Sequence, residues 1–267
     1  MNKNLPIGIF DSGLGGLTVL KKLQEALPLE TFIYIGDTAH LPYGNKSQKA
    51  VIGYSKLISQ YLIKQKVKLI IVACNTASSL ALLALKQQFT IPFIDVITPM
   101  SASLKNYPDD TKIGVIGTYN TIQSNAYYNT LKNNNSNFVI FQQDCPMFVP
   151  LIEEDLHQGL IAELIIEKYL QKLIKKNIQL LILGCTHYPL IKKSIKKVVG
   201  SQVSIIDSAT TTAEYLKLYL KKNQLLSNSK KQDNQIIITD KTNNFENLAL
   251  KILNTKKLNL KILKLTK

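Results

Sequence analysis

Aliphatic residues recur along the chain in short runs, and longer stretches of mixed apolar and polar residues separate them. The short runs are typical of strands buried on both faces, and the longer stretches repeat apolar residues with the period of an amphipathic helix. This alternation predicts an α/β fold with parallel sheets. In the first half, strands are predicted at 7–10, 32–35, 69–73 and 93–96, with helices at 18–27 and 50–65.

The same alternation begins again after a turn-rich segment at 99–110. Strands are predicted at 113–116, 138–141, 180–183 and 203–206, and a long helix pattern covers about 151–176. Residues 7–12 (IGIFDS) are also similar in sequence to residues 113–118 (IGVIGT). These repeats indicate a duplicated α/β half.

A further strand is predicted at 236–239 and a helix at 244–253. Because a parallel sheet must be covered on both faces, this last segment is expected to return to the first half. The predicted domains are therefore residues 1–97 together with 208–267, and residues 98–207.

Two cysteines lie in matching contexts, since Cys74 and Cys185 each follow a predicted strand and precede a helical stretch. At such a position the unpaired N–H groups and the dipole of the helix favour the thiolate. A single free cysteine is more often a small buried hydrophobe. Two in matching places predict a two-base catalyst in one cleft. Cys145 precedes a proline without this setting, and we interpret it as structural.

The net charge of +15 raises the question of a nucleic-acid partner. All 33 basic residues are lysine, so bidentate recognition by a guanidinium group is excluded. We interpret the lysines as a solvated surface, and a nucleic-acid-binding tail remains the alternative.

No apolar run approaches the ~18 residues of a membrane span, and the amino terminus enters a predicted strand at once. We expect a cytoplasmic protein with reduced thiols and without membrane association. The sequence leaves monomer and homodimer open.

The glycine-rich loop after the first predicted strand suggests a second alternative, a dinucleotide site. Counting from Gly13, however, Thr18 replaces the third glycine of that motif, and Asp11 would place a negative charge near a pyrophosphate. An oxidoreductase is therefore the weaker hypothesis.

Four segments together resemble the signature blocks of bacterial glutamate racemases: IGIFDSGLGGLTV (7–19), GDTAHLPYG (36–44), ACNTAS (73–78) and GCTHYPL (184–190). The resemblance extends from residue 7 to residue 207. It implies a racemase without cofactor or metal that supplies D-glutamate for peptidoglycan. It also implies two pseudo-symmetric α/β domains, each with a mainly parallel sheet flanked by helices, and an active site in the cleft between them.

The resemblance places the catalytic cysteines at Cys74 and Cys185, the first deprotonating D-glutamate and the second L-glutamate. Inversion at Cα requires a base on one face and an acid on the other, which agrees with two thiols. Residues that assist the cysteines map onto Asp11, Glu153 and His187. Simpler interpretations are a helix cap for Asp11, a first helical turn for Glu153 and a core histidine for His187.

Without arginine, the substrate carboxylates must be held by backbone N–H groups and by neutral polar side chains. The positions that match the family are Asp11, Ser12, Tyr43, Gly44, Asn75, Thr76, Thr118, Thr121, Thr186 and His187. An aspartate or hydantoin racemase would retain both cysteines, but the residues after Cys185 favour glutamate.

Overall fold

The computed structural model describes residues 2–229, 233–242 and 244–265. Within these residues, ten strands form two wholly parallel sheets flanked by helices. The predicted α/β class with two sheets is confirmed. The strands are β1 Ile7–Asp11, β2 Phe32–Gly36, β3 Leu69–Val72, β4 Phe93–Asp95, β5 Lys112–Gly117, β6 Val139–Asp144, β7 Leu180–Gly184, β8 Ser204–Asp207, β9 Gln235–Ile238 and β10 Leu260–Ile262.

The two sheets share one strand order. The first runs β10-β9-β2-β1-β3-β4 and the second β6-β5-β7-β8, so β2-β1-β3-β4 has the topology of the whole second sheet. The central strands correspond in register as well, since Ile9 pairs with Ile71 and Val115 with Ile182. The duplication inferred from the repeated patterns is therefore visible in the backbone.

Helices cover both faces of each sheet because the strands alternate their apolar side chains between two cores. In β1, for example, Ile9 packs with the helices at Leu17–Ala26 and Ser208–Lys222, whereas Phe10 packs with the helix at Gln48–Lys64 on the other face. The helices are α1 Leu17–Ala26, α2 Gln48–Lys64, α3 Asn75–Leu80, α4 Leu82–Gln88, α5 Ile97–Ser103, α6 Tyr119–Gln123, α7 Ala126–Asn134, α8 Phe148–Glu153, α9 Leu160–Lys175, α10 Lys192–Val199, α11 Ser208–Lys222 and α12 Phe245–Leu253.

The chain crosses between the sheets after β4 and after β8, and an aspartate starts the next helix at both crossings. Asp95 accepts hydrogen bonds from the N–H groups of Ile97 and Thr98 at 2.8 and 2.7 Å. Asp207 accepts one from the N–H of Thr210 at 3.0 Å. These caps fix where each connecting helix leaves its sheet.

Two predicted elements were wrong in detail. The helix expected over 151–176 is two helices, α8 and α9, because the backbone between them turns through positive φ at Asp155 and Gly159. The turn-rich segment at 99–110 begins inside α5, where Pro99 lies in the first turn and needs no N–H partner. The short edge strand β10 was not predicted.

None of the described helices is long and apolar enough to cross a membrane.

Candidate active site

Both cysteines line one small cavity between the two sheets. Cys74 follows β3 and Cys185 follows β7, which are equivalent strands, and both thiols are buried. The cavity offers about 20 Å³ to water-sized molecules, about the room that one water needs. Its lining residues are Ser12, Leu41, Pro42, Tyr43, Gly44, Cys74, Asn75, Thr76, Thr118, Val149, Glu153, Cys185, Thr186 and His187.

Cys74 lies at the amino end of α3. The N–H of Ala77 donates to its sulfur at 3.5 Å, and Ser12 Oγ lies 3.8 Å from the sulfur. Ser12 comes from the loop after β1, so two loops of the first sheet position this thiol. The strand-to-helix setting expected for Cys74 is confirmed.

The thiolate that the helix-end position predicts for Cys74 is, however, not what the structure favours. Burial, together with the negative charge of Asp11, raises the pKa of Cys74 to about 12. The N–H of Ala77 and the hydroxyl group of Ser12 oppose this rise but do not outweigh it. Cys74 is therefore a thiol at neutral pH despite its place at a helix amino end.

Cys185 has a different neighbourhood. Its sulfur lies 3.9 Å from Nδ1 of His187, and Nε2 of the same ring lies 3.0 Å from Oε1 of Glu153. Glu153 is the last residue of α8 rather than part of a first turn, so its simpler interpretation is excluded. The three side chains form a line from a thiol through an imidazole to a carboxylate.

The charge of His187 follows from these two partners. Burial alone would lower the pKa of His187, but the hydrogen bonds to Cys185 and Glu153 and the charges of both groups raise it to about 10. The ring is therefore cationic at neutral pH and faces the sulfur of Cys185. A core histidine without a site role does not fit these contacts.

Asp11 joins the two halves of the site. Its carboxylate accepts hydrogen bonds from the hydroxyl of Thr186 at 3.2 Å and from the N–H of Gly13 at 3.0 Å. Burial raises the pKa of Asp11, although the positive charge of His187 opposes the rise. Hydrogen bonds from the N–H groups of Gly13 and Gly16, just before α1, also oppose this rise, so Asp11 contacts both the loop that leads into the helix and the second half of the site.

The glycine loop packs against the second half of the site. A Cβ on Gly15 would lie 2.4 Å from Oγ1 of Thr186 and 2.5 Å from Nδ1 of His187. Only glycine fits that approach. The loop at Gly15 therefore faces side chains of the second half of the site rather than open space.

Three threonine hydroxyls meet beside the cavity, where Thr76 and Thr118 belong to the lining and Thr121 lies behind them. Oγ1 of Thr76 lies 2.9 Å from that of Thr118 and 3.2 Å from that of Thr121, and the last two are 3.0 Å apart. Thr76 belongs to the first sheet's loops and the other two to the second's. The cluster therefore brings neutral hydroxyl groups from both halves to one point.

Comparison with known proteins agrees with this arrangement. The family profile described as Asp/Glu/Hydantoin racemase matches residues 7–216. The chain belongs to this family.

It is 45% identical to a glutamate racemase of Persephonella marina, over 91% of this chain and 92% of that protein. A crystal structure of glutamate racemase from Francisella tularensis in complex with D-glutamate superposes with a TM-score of 0.92, at 40% identity and 98% coverage of both chains. An aspartate racemase of Picrophilus torridus gives a TM-score of 0.60 at 19% identity, which shows a shared fold.

Three cavity residues were not named as site candidates, although Leu41 and Pro42 lie within the segment 36–44 that resembles the family. Leu41, Pro42 and Val149 form apolar walls, and a hydrophobic side chain carries no sequence signal that separates a cavity wall from the core. Conversely, Asp11 and Thr121 are named by the family pattern but lie behind the lining, fully buried. They contact the lining residues rather than the cavity itself.

Tyr43 lines the cavity, and a buried group of polar side chains outside the cavity binds its hydroxyl. Its hydroxyl donates to the buried carboxylate of Asp37, which also contacts Nδ1 of His40 at 2.9 Å and accepts from the hydroxyl of Thr239 at 2.7 Å. Thr239 follows β9, so the carboxyl-terminal part of the chain supports the wall. No sequence motif indicated this contact, because its members are 202 residues apart.

Cys145 lies outside the cavity lining and is completely buried in the second core. Burial raises the pKa of Cys145 well above its ordinary value. The structural role stays a prediction, and these surroundings support it. Among the described residues, no group of three or more His, Cys, Asp or Glu side chains could hold a metal ion.

Proposed function

We propose that this chain is a glutamate racemase that interconverts L- and D-glutamate with the two thiols as acid and base. The observation that carries the proposal is the pair Cys74 and Cys185, which come from equivalent strands of two sheets and line one cavity. Racemisation needs one proton acceptor and one proton donor at Cα, and two thiols that line one cavity can supply both.

The choice of glutamate rests on the relatives. Curated relatives from several bacteria that are 39–47% identical are named glutamate racemase, and the similar Francisella structure contains D-glutamate. In this chain, the hydroxyls of Thr76, Thr118 and Thr121 are the groups suited to a carboxylate, together with the N–H groups at the start of α3. Supply of D-glutamate for peptidoglycan, in the cytoplasm, is part of the proposal.

In the proposed reaction one sulfur acts as thiolate and removes the α-proton while the opposite thiol donates its proton to the other face of the planar carbanion. After one turnover the protonation states of Cys74 and Cys185 have exchanged. Glutamate has lost one proton and gained one, so no oxidant or cofactor enters the balance. The proposal assigns removal from D-glutamate to Cys74 and from L-glutamate to Cys185.

The assisting groups differ between the two sides. His187 is cationic and adjoins Cys185, so it can return a proton to that sulfur, while Glu153 keeps the ring charged. Cys74 has a raised pKa because it is buried near Asp11. The α-ammonium group of glutamate brings a positive charge into the cavity, which stabilises a Cys74 thiolate when substrate is present.

We further propose that residues 1–97 with 208–267, and residues 98–207, act as two domains. Each set contains one sheet, and the crossings at Asp95 and Asp207 are the places where the chain passes between them. The cavity holds about one water, so glutamate requires the two walls to separate before it enters.

Polarimetry with L- and D-glutamate, without added cofactor or metal, tests the proposal. The expected result is loss of optical rotation from either enantiomer toward zero. Cys74→Ala and Cys185→Ala should each lose more than about 10³-fold in kcat, because no other group replaces the missing acid or base. Cys145→Ala is the matched control and should keep most of the activity. Normal turnover by either of the first two variants contradicts the proposal.

A reaction run in heavy water distinguishes a two-base mechanism from a mechanism with one shared base. Early in a reaction from L-glutamate, the D-product should carry deuterium at Cα, and recovered L-glutamate should remain largely protiated. A single shared base would return protium to the product or carry deuterium into both pools.

A further inference from the structure

Tyr127 contacts the chain beside both cysteines, although it does not line the cavity. It belongs to α7, in the second half of the fold, and is completely buried. Its hydroxyl donates to Oδ1 of Asn75, the residue after Cys74, at 2.6 Å. A Cβ on Gly184, the residue before Cys185, would lie 3.0 Å from Cε2 of the tyrosine ring. One side chain of the second half therefore meets the neighbours of both sulfurs.

The hydrogen bond from Tyr127 fixes the direction of the Asn75 amide. A separation of 2.6 Å suits an O–H···O bond, whereas N–H···O bonds are usually ~2.9–3.0 Å long. The oxygen of the amide therefore faces Tyr127, and its nitrogen faces the other way. Nδ2 makes a long contact of 3.4 Å with Oγ of Ser208, so the shorter bond to Tyr127 is the stronger restraint on the amide.

This contact lies beside the places where the chain crosses between the sheets. Ser208 follows the crossing at Asp207. Burial, and then the negative charge of Asp95 at the other crossing, raise the pKa of Tyr127 above its ordinary value, so the phenol keeps its proton and stays a donor. Groups near a hinge move least when two domains separate. We therefore expect the bond between Tyr127 and Asn75 to persist while the cavity opens for glutamate.

We propose that Tyr127 is a positioning residue for glutamate: its hydroxyl holds the amide of Asn75 with an N–H group, rather than the carbonyl oxygen, toward a substrate carboxylate. Asn75 lines the cavity. Its Nδ2 carries two N–H groups, of which Ser208 accepts one among the described residues. Without the tyrosine hydroxyl, the amide is free to turn over and to present its oxygen to the carboxylate. This inference rests on the proposed function, since it requires a carboxylate in the cavity.

Steady-state kinetics of Tyr127→Phe test the proposal. This variant loses one oxygen atom and keeps the ring against Gly184. We expect KM to rise about ten-fold for both enantiomers, because a hydrogen bond to a charged group of the substrate is lost. The kcat values should stay within about two-fold and the primary deuterium isotope effects should not change, because the interaction serves binding rather than proton transfer. A fall in kcat at an unchanged KM overturns the proposal.

A double-mutant cycle separates positioning from a general loss of packing. If Tyr127 acts through Asn75, Tyr127→Phe raises KM in the parent protein but not in the Asn75→Ala background. Equal rises in both backgrounds contradict the proposal. Tyr188→Phe is the matched control, because the hydroxyl of this buried tyrosine donates to the carbonyl of Cys145 at 3.1 Å and lies outside the cavity lining. It should lower the Tm about as much as Tyr127→Phe and leave KM unchanged. The same rise in KM for both variants would mean that no specific contact is involved.

The ¹³Cγ resonance of Asn75 reports on the contact without turnover. It is assigned by its absence from the spectrum of Asn75→Ala, and it responds to a hydrogen bond on Oδ1. Tyr127→Phe should shift this resonance, and Tyr188→Phe should not. If Tyr127→Phe leaves it in place, the tyrosine does not hold the amide and the inference is wrong, whatever the activity. If it shifts but the parent protein does not racemise glutamate, the proposed function fails, and the substrate named in this inference fails with it.

Discussion

Cys74 and Cys185 occupy equivalent places in two sheets of the same strand order, but opposite charges surround them. Beside Cys74 lie Ser12, the N–H of Ala77 and the negative charge of Asp11. Beside Cys185 lies a cationic His187, and the second ring nitrogen of His187 contacts the carboxylate of Glu153. The difference shows that duplication of a backbone does not duplicate its electrostatics, because a few side chains on neighbouring loops determine the charge at each sulfur.

Thermodynamics restricts the kinetic quantities in which this asymmetry can be observed. The two enantiomers of glutamate have equal free energies, so every variant must show equal kcat/KM in the two directions. Differences between the halves can therefore appear only in the separate kcat and KM values, in isotope effects and in pKa values. The predictions use these quantities.

Among the residues that assist the two cysteines, the largest effect is expected on the Cys185 side. His187→Asn removes the proton donor next to the sulfur, and we expect kcat/KM to fall about 10²-fold in both directions. The primary deuterium isotope effect should rise more with L-glutamate, the enantiomer from which Cys185 takes the proton in our proposal. His157→Asn is the control, because His157 does not line the cavity. Equal isotope effects with both enantiomers would remove the assignment of Cys185 to L-glutamate.

Asp11→Asn probes the Cys74 side. Loss of the negative charge should lower the pKa of Cys74 from about 12, since a nearby anion disfavours the thiolate. Turnover should nevertheless fall about ten-fold, because the contacts of Asp11 with Thr186 and Gly13 weaken. A titration of ¹³C-labelled cysteine by NMR measures the pKa. If the pKa of Cys74 does not fall in this variant, the charge of Asp11 is not what raises it.

Glu153→Gln should have a smaller effect on turnover, about two- to five-fold, because the amide oxygen still accepts a hydrogen bond from His187. The pKa of His187 should fall below about 10, since the carboxylate charge that helps raise it is gone. The alkaline limb of the kcat profile should move to lower pH with it. The neighbouring exposed Glu154→Gln is the matched control and should leave the profile unchanged.

The smallest expected effect is on stability. The pKa of His187 is raised from an ordinary 6.5 to about 10 in the folded protein. Its contribution to stability is therefore fully present below about pH 6.5 and is lost as the pH rises through about 10. The Tm of the parent protein should fall between pH 7 and pH 10 by a few degrees more than the Tm of His187→Asn. Parallel curves would show that His187 titrates equally in both states.

Much of the architecture was predictable because strands buried on both faces leave continuous aliphatic runs, and these are visible without any tertiary information. The strand-end positions of Cys74 and Cys185 followed from the same runs. The break between α8 and α9 was not predictable, because apolar spacing continues through 151–176 and only the positive φ values at Asp155 and Gly159 interrupt it. That break gives α8 its own direction and allows Glu153, its last residue, to reach His187.

The parallel sheets, the duplication and the two matched cysteines can be read from the local order of residue types. The protonation of the site, by contrast, depends on contacts that exist only in the folded protein. The helix-end setting of Cys74 favours a thiolate, yet the burial of its sulfur and the approach of Asp11 keep it a thiol. The charges that raise the pKa of Cys74 come from Asp11, 63 residues before it, and Cys185, 111 residues after it. Electrostatic energy depends on distance in space rather than along the chain.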